Sequence, residues 1–152
     1  MPSENATQAP RHVIVDIDGT ICDATHRMHH IEHEPKNWDA WYAAVIDDAP
    51  IEPILNLVDA LSGAYIIDLV TGRSDIARRE TENWLTKHRV PYDRLLMRKE
   101  GDHRPDTIVK AEIYREHFKP GSVWFVLEDR NRVARMWRDL GLTCLQVSDG
   151  DY

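Results

Sequence analysis

The chain has 152 residues, 42% of them hydrophobic and 30% charged, with a formal net charge of −7. That is about one domain, long enough to bury a core, and no apolar run approaches the roughly 18 residues of a membrane span, so no membrane role is expected. The acidic balance excludes bulk electrostatic capture of nucleic acid, though not a short local basic track.

The opening "MPSENATQAP" has neither a basic stretch nor an apolar one, so it reads as a flexible tail over 1–10 rather than a leader. Cys22 and Cys144 match no Cys-x-x-Cys spacing. Without an export signal, free thiols and a cytoplasmic location are expected. The first strand is expected over 12–17, "HVIVDI", and it runs straight into Asp16 and Asp18. Segment 24–49 is too long for an ordinary strand-to-helix loop. It reads as a small cap, with a short helix or two around Trp38, Trp41 and Tyr42, inserted over the acidic end of that strand. His26, His29, His30 and His33 fall at the spacing of one helical face, expected to face solvent or substrate rather than a structural metal.

A helix is expected over 50–63, closed by Gly63, then a strand over 65–70 in which Asp68 is expected to be paired, or at an edge or subunit contact. Ser74 reads as the N-cap of a helix over 74–90. A strand over 94–97, a helix over 105–118 capped by Asp106, a strand over 123–127, a helix over 131–141 and a strand over 143–147 complete the chain. Trp84, Trp124 and Trp137 read as packing residues, and Trp38 and Trp41 as anchors of the cap. The strands are apolar on both alternations, as in sheets covered on both faces. Strand and helix alternate throughout, so the expected fold class is α/β: a mainly parallel, Rossmann-like sheet of about five strands with helices on both faces.

In such a sheet, ligands bind outside the carboxyl ends of the strands. Those ends carry Asp16 and Asp18, then Thr71, Gly72 and Arg73, then Glu128 and Asp129, while Asp106 and Lys110 open a helix at the same edge. Clustered carboxylates repel in a low dielectric. A divalent cation removes that conflict, and hard oxygen donors with an incomplete cage favour Mg²⁺. Cation, anion donors and a spare carboxylate together point to phosphoryl transfer. Asp16 is placed to attack phosphorus, and Asp18 to protonate the departing alcohol and then activate water. Lys110 would neutralise the nucleophile and hold a phosphate oxygen. The basic residues Arg94, Arg98, Lys99, Arg104 and Lys110 could follow a few backbone phosphates.

"DIDGT", "TGR", a lone lysine at a helix start and an acidic pair after a strand, in that order, resemble the haloacid dehalogenase (HAD) superfamily of aspartyl-phosphate phosphatases. "RMHHI", "TENWL", "MRKEGDHRPDTIVK", "EDRNRVARMWRDLGLTCLQV" and "GDY" narrow the likeness to the phosphatase domain of bacteriophage polynucleotide kinase/phosphatase, over 11–152. The resemblance implies Asp16 as nucleophile, Asp18 as general acid and Lys110 as the motif lysine. It implies Thr71, Gly72, Arg73, Arg27 and Asp106 on the substrate side. It also implies Mg²⁺ held by Asp16, the Asp18 backbone carbonyl and the acidic pair. That pair is Asp-Asp in the family and Glu128-Asp129 here; Asp129 is the favoured direct ligand. No Gly-x-x-x-x-Gly-Lys-Ser/Thr loop occurs, so a phosphatase domain without a kinase half is expected. The implied substrate is a 3′-phosphorylated nucleic acid end or nucleotide. A separate kinase or ligase partner and a homo-oligomer stay open, as do a small-metabolite phosphatase and a non-catalytic binding module.

Overall fold

A computed structural model describes residues 11–151, and the tail expected over 1–10 lies outside the described residues. The chain runs through β1 (His12–Val15), β2 (Cys22–Asp23), α1 (Trp38–Ala43), β3 (Ala49–Pro50), α2 (Glu52–Ser62), β4 (Ile66–Ser74), α3 (Arg78–Lys87), β5 (Arg94–Arg98), α4 (Asp106–His117), β6 (Val123–Arg130), α5 (Asn131–Asp139) and β7 (Cys144–Gly150). Five strands form one sheet in the order β5-β4-β1-β6-β7, every neighbouring pair parallel. The chain winds outward from β1 to β5, then crosses back to β6. The strand order therefore reverses at β1, where sheets of this kind open a crevice for ligands.

Alternation along β1 divides the core into two layers. Val13 and Val15 pack with Val58 of α2, Trp84 and Leu85 of α3, and Ile67 and Leu69 of β4. Ile14 faces the other way, with Val70, Val109 and Ile113 of α4, and Val133, Ala134 and Trp137 of α5. With both faces covered, the central strands have no solvent side, which is why they read as apolar runs. Among the described residues, no helix is long and apolar enough to cross a membrane.

β4 continues through Thr71, Gly72 and Arg73, and β6 through Glu128 and Asp129, so both run past the apolar stretches that announce them. Register shifts against β5 and β7 accompany these polar extensions. The expected helix over 74–90 is broken: the Ser74 hydroxyl accepts the Ile76 amide and caps a 3₁₀ turn, Asp75–Ala77, before α3 begins. Asp106 does not cap α4. Pro105 holds the cap position without a side-chain bond, and Asp106 is the first helical residue. Trp124 is 47% exposed rather than packed. The β1–β6 register skips it, pairing His12 with Val123 and Val13 with Phe125, so the ring leaves the regular alternation and the Arg11 guanidinium lies 4.1 Å over it. Asp68 is paired as expected, buried between His12 Nδ1 at 2.6 Å and the Arg94 guanidinium.

The excursion after β1 is closed at its neck by β2 and β3, which pair antiparallel as Cys22 with Pro50 and Asp23 with Ala49. Between them lie a 3₁₀ helix, Thr25–His30, then α1, then a second 3₁₀ turn, Ala44–Asp47. His33 falls outside the first of these, so the four histidines do not share a helical face. Among the described residues, neither group of side chains that could hold a metal contains a histidine.

Candidate active site

Asp16 extends β1 by one residue, its amide donating to the Leu127 carbonyl at 3.0 Å. The chain then turns back within a few residues, and Gly19 takes φ +83°, a backbone state that costs other residues a steric clash. The same turn brings the Thr20 hydroxyl to 3.1 Å from Asp16 Oδ2 and 3.2 Å from Asp129 Oδ1. One hydroxyl proton serves one of these at a time. Lys110, in the first turns of α4, comes from the layer that covers the Ile14 face of β1. Its buried Nζ donates to Asp16 Oδ1 at 2.6 Å and to Glu128 Oε2 at 2.8 Å.

Asp16, Glu128 and Asp129 are all buried, with carboxylate oxygens within 4.8 Å of one another. Burial, then the charge of Glu128, pushes the Asp16 carboxyl well above its usual range despite the opposing pull of Lys110. Burial also works against the ammonium, but Asp16 and Glu128 outweigh it and lift the Lys110 pKa above its ordinary value. Three carboxylates thus gather where Lys110 bonds to Asp16 and Glu128. The clustered negative charge and the all-oxygen donor set fit a hard divalent cation. Glu128 has both oxygens engaged, Oε2 by Lys110 and the Trp137 indole and Oε1 by the Arg130 amide.

Asp18 belongs to a second cluster. Arg73 Nε and Nη2 donate to its two oxygens at 2.8 and 2.7 Å, and Arg27 Nη2 donates to Oδ1 at 2.9 Å. Burial would raise its pKa, but the Arg73 and then the Arg27 guanidinium hold the carboxyl down at about 2. Behind Asp18 lies Asp48, fully buried and bonded to both arginines.

A cavity of about 980 Å³ opens onto Asp16, Asp18, Lys110, Glu128 and Asp129. Gly72, Arg73 and Asp106 line it too. Asp106 accepts from Arg98 and, at 2.6 Å, from Arg130 Nη1. Its carboxylate leans so closely on β4 that a Cβ at position 72 would lie 2.6 Å from Asp106 Oδ1, which explains the glycine. Two expected substrate-side residues stand back from the cavity. Thr71 is buried, with its Oγ1 accepting the Arg73 amide at 3.1 Å. Arg27 is fully buried behind Asp18, its guanidinium stacked 4.0 Å over Trp41. Trp41 thus packs within the cap, and both it and Trp38, 45% exposed, line the cavity with Met28 and Ile76.

Sequence reading missed Thr20 and Asp48, and it set Arg98 in a track along backbone phosphates, whereas its guanidinium is bonded to Asp106. Thr20 sits inside the "DIDGT" motif, whose turn could have drawn attention to it. Asp48 carried no local signal.

Residues 10–152 match the family model of the polynucleotide kinase PNKP phosphatase domain. A candidate bifunctional polynucleotide kinase/RNA ligase of Autographa californica nuclear polyhedrosis virus is 30% identical over 147 residues, 94% of this chain and 20% of that protein. A chain of the Pnkp1/Rnl/Hen1 RNA repair complex superposes with a TM-score of 0.80 at 34% identity, over 96% of this chain and 45% of its own length. A candidate HAD hydrolase of Bacillus subtilis bound to magnesium shares the fold at 9% identity, with a TM-score of 0.65, over 91% of this chain and 87% of its own. This chain thus spans less than half the length of the first two proteins. The match across nearly every described residue, on a doubly wound parallel sheet, settles the family: the chain is a phosphatase domain of the HAD superfamily, of the polynucleotide kinase PNKP type.

Proposed function

We propose that this domain is a Mg²⁺-dependent phosphomonoesterase that removes 3′-phosphate from nucleic acid ends or nucleotides. One observation carries the reading: Asp16 lies at the cavity floor between Lys110, at 2.6 Å, and the Glu128–Asp129 pair, with Asp18 opening onto the same space. Asp16, Asp129 and the Asp18 backbone carbonyl would hold the cation. Glu128 would serve it from behind, since Lys110 and Trp137 already engage it. Bound there, the cation supplies charge stabilisation for the transferring phosphoryl group.

An Asp16 carboxylate oxygen attacks phosphorus while the bond to the sugar 3′-oxygen breaks, and that oxygen takes a proton from Asp18. Asp18 is ionised in the resting site. The incoming phosphate adds negative charge beside it and competes for Arg73, which raises its affinity for a proton. The Asp18 carboxylate then accepts a proton from water. The water oxygen attacks the aspartyl phosphate, releasing inorganic phosphate and restoring Asp16. Lys110 balances the nucleophile and a phosphate oxygen throughout. Asp106 acts by holding Arg98 and Arg130 at the cavity wall.

Two features support a nucleotide beside the phosphate. The cavity, about 980 Å³, far exceeds a phosphate. Its walls carry the exposed apolar surfaces of Met28, Trp38 and Ile76, suited to a base. The relatives are named for polynucleotide kinase, ligase and RNA repair, which supports work beside kinase or ligase activities on nucleic acid ends.

An oligonucleotide phosphorylated at its 3′ end is expected to be hydrolysed about 100-fold faster than its 5′ isomer, as phosphate release will show. Equal rates favour a small-metabolite phosphatase. Chelation with EDTA is expected to stop turnover and added Mg²⁺ to restore it. Turnover indifferent to EDTA refutes the metal assignment.

A further inference from the structure

Asp48 emerges from a question of charge. Arg27 and Arg73 are both buried beside Asp18, so two guanidiniums share a space that Asp18 alone cannot neutralise. Asp48 supplies the second carboxylate. Arg27 Nε and Nη2 donate to its Oδ1 and Oδ2 at 2.7 and 2.8 Å, and Arg73 Nη2 donates to Oδ2 at 2.9 Å. The bonds close a ring in which charges alternate: Asp18, Arg73, Asp48, Arg27 and back to Asp18. Of the two carboxylates, only Asp18 opens onto the cavity, its side chain 31% exposed, while that of Asp48 is fully buried.

The ring is anchored at Asp48. The Trp84 indole of α3 donates to its carbonyl at 2.8 Å, and its own amide donates to Val45 at 3.1 Å. It directly precedes β3, whose pairing with β2 closes the neck of the cap. Its carboxylate therefore holds Arg27, carried by the cap, and Arg73, carried by the sheet, in one fixed relation. His26 Nε2, 2.8 Å from Asp48 Oδ1, adds a further contact from the cap.

We propose that Asp48 is a positioning residue for leaving-group protonation: by holding both guanidiniums, it fixes the direction in which Asp18 faces the departing oxygen. Without it, Arg27 and Arg73 have only Asp18 to answer them and draw that carboxylate back from the cavity. The inference rests on the role proposed above for Asp18.

The test compares kcat/KM, which reports steps up to departure of the alcohol, on two substrates. A nucleoside 3′-phosphate expels an alkoxide that needs a proton; p-nitrophenyl phosphate expels a stable anion that does not. Asp18→Asn is the reference and is expected to lose far more on the nucleotide than on the aryl ester. Asp48→Asn is expected to reproduce that pattern, falling about 100-fold on the nucleotide and less than about tenfold on the aryl ester. A purely structural role lowers both alike, and equal loss, or none, overturns the inference. Should Asp48→Asn melt below the assay temperature, Asp48→Glu keeps the charge but moves it by one methylene, and it is judged by the same ratio. If Asp18→Asn itself shows no selectivity, the acid assignment fails and the inference with it. If Asp18→Asn is selective and the Asp48 variants are not, only the inference falls.

Discussion

Asp16→Asn is expected to abolish phosphatase turnover, by roughly 10⁴-fold or more, while leaving the fold intact. The amide keeps the shape of the carboxylate but cannot form an acyl phosphate. Because burial and Glu128 make the ionised carboxylate costly in the folded protein, the substitution removes a destabilising charge. Without metal, the variant is therefore expected to melt no lower than the parent. Mg²⁺ is expected to raise the parent's melting temperature and to leave the variant's nearly unchanged. Steady-state kinetics and thermal melts with and without Mg²⁺ check both halves. Retained turnover removes Asp16 as the nucleophile.

Lys110→Met is expected to have the largest combined effect on activity and stability. Its ammonium is the cation bonded to both Asp16 and Glu128, and all three side chains are buried. Deleting one partner of a buried ion pair typically costs about 3–5 kcal/mol, or about 10 °C in melting temperature for a domain of this size. Activity is expected to fall by about 1,000-fold or more, through loss of charge stabilisation at the nucleophile and phosphate. The sign of the pH response is also set. Burial and Glu128 already push the Asp16 carboxyl up, and the variant loses the opposing pull of Lys110, so Asp16 binds a proton more tightly in the folded protein than in the unfolded one. The variant is therefore expected to gain stability as pH falls, until the unfolded carboxyl is protonated too. Melts across a pH series without metal check this. A variant as stable as the parent at neutral pH overturns the picture of a buried ammonium that holds Asp16 and Glu128 together.

Asp16, Asp18, Lys110, Glu128 and Asp129 were legible in the sequence because each sits at a strand end or a helix start. A parallel βαβ series aims all such positions at one edge, whatever the loops between them do. Two strands nevertheless run farther than their apolar stretches, through Thr71, Gly72 and Arg73 and through Glu128 and Asp129. Hydrophobic pattern cannot report such extensions, since their hydrogen bonds go to neighbouring strands rather than to the core. Asp106 shows a related limit. Its place at a helix start suggests a cap, yet its carboxylate is claimed by Arg98 and Arg130 and wedged against Gly72.

By itself, then, the sequence determined the strand–helix alternation, the apolar sheet and the residue types gathered at its carboxyl edge. These follow from local chemistry and from the periods of helix and strand, each written within a few neighbouring residues. Tertiary structure alone decided that Arg27 turns inward behind Asp18 and that Asp48 closes the ring with Arg73. It decided too that Trp41 stacks on Arg27 of that ring while lining the cavity beside Trp38. Those partners lie on the cap and the sheet, brought together only once the neck between β2 and β3 closes. A contact between distant segments depends on the path of the whole chain, and no local pattern encodes it.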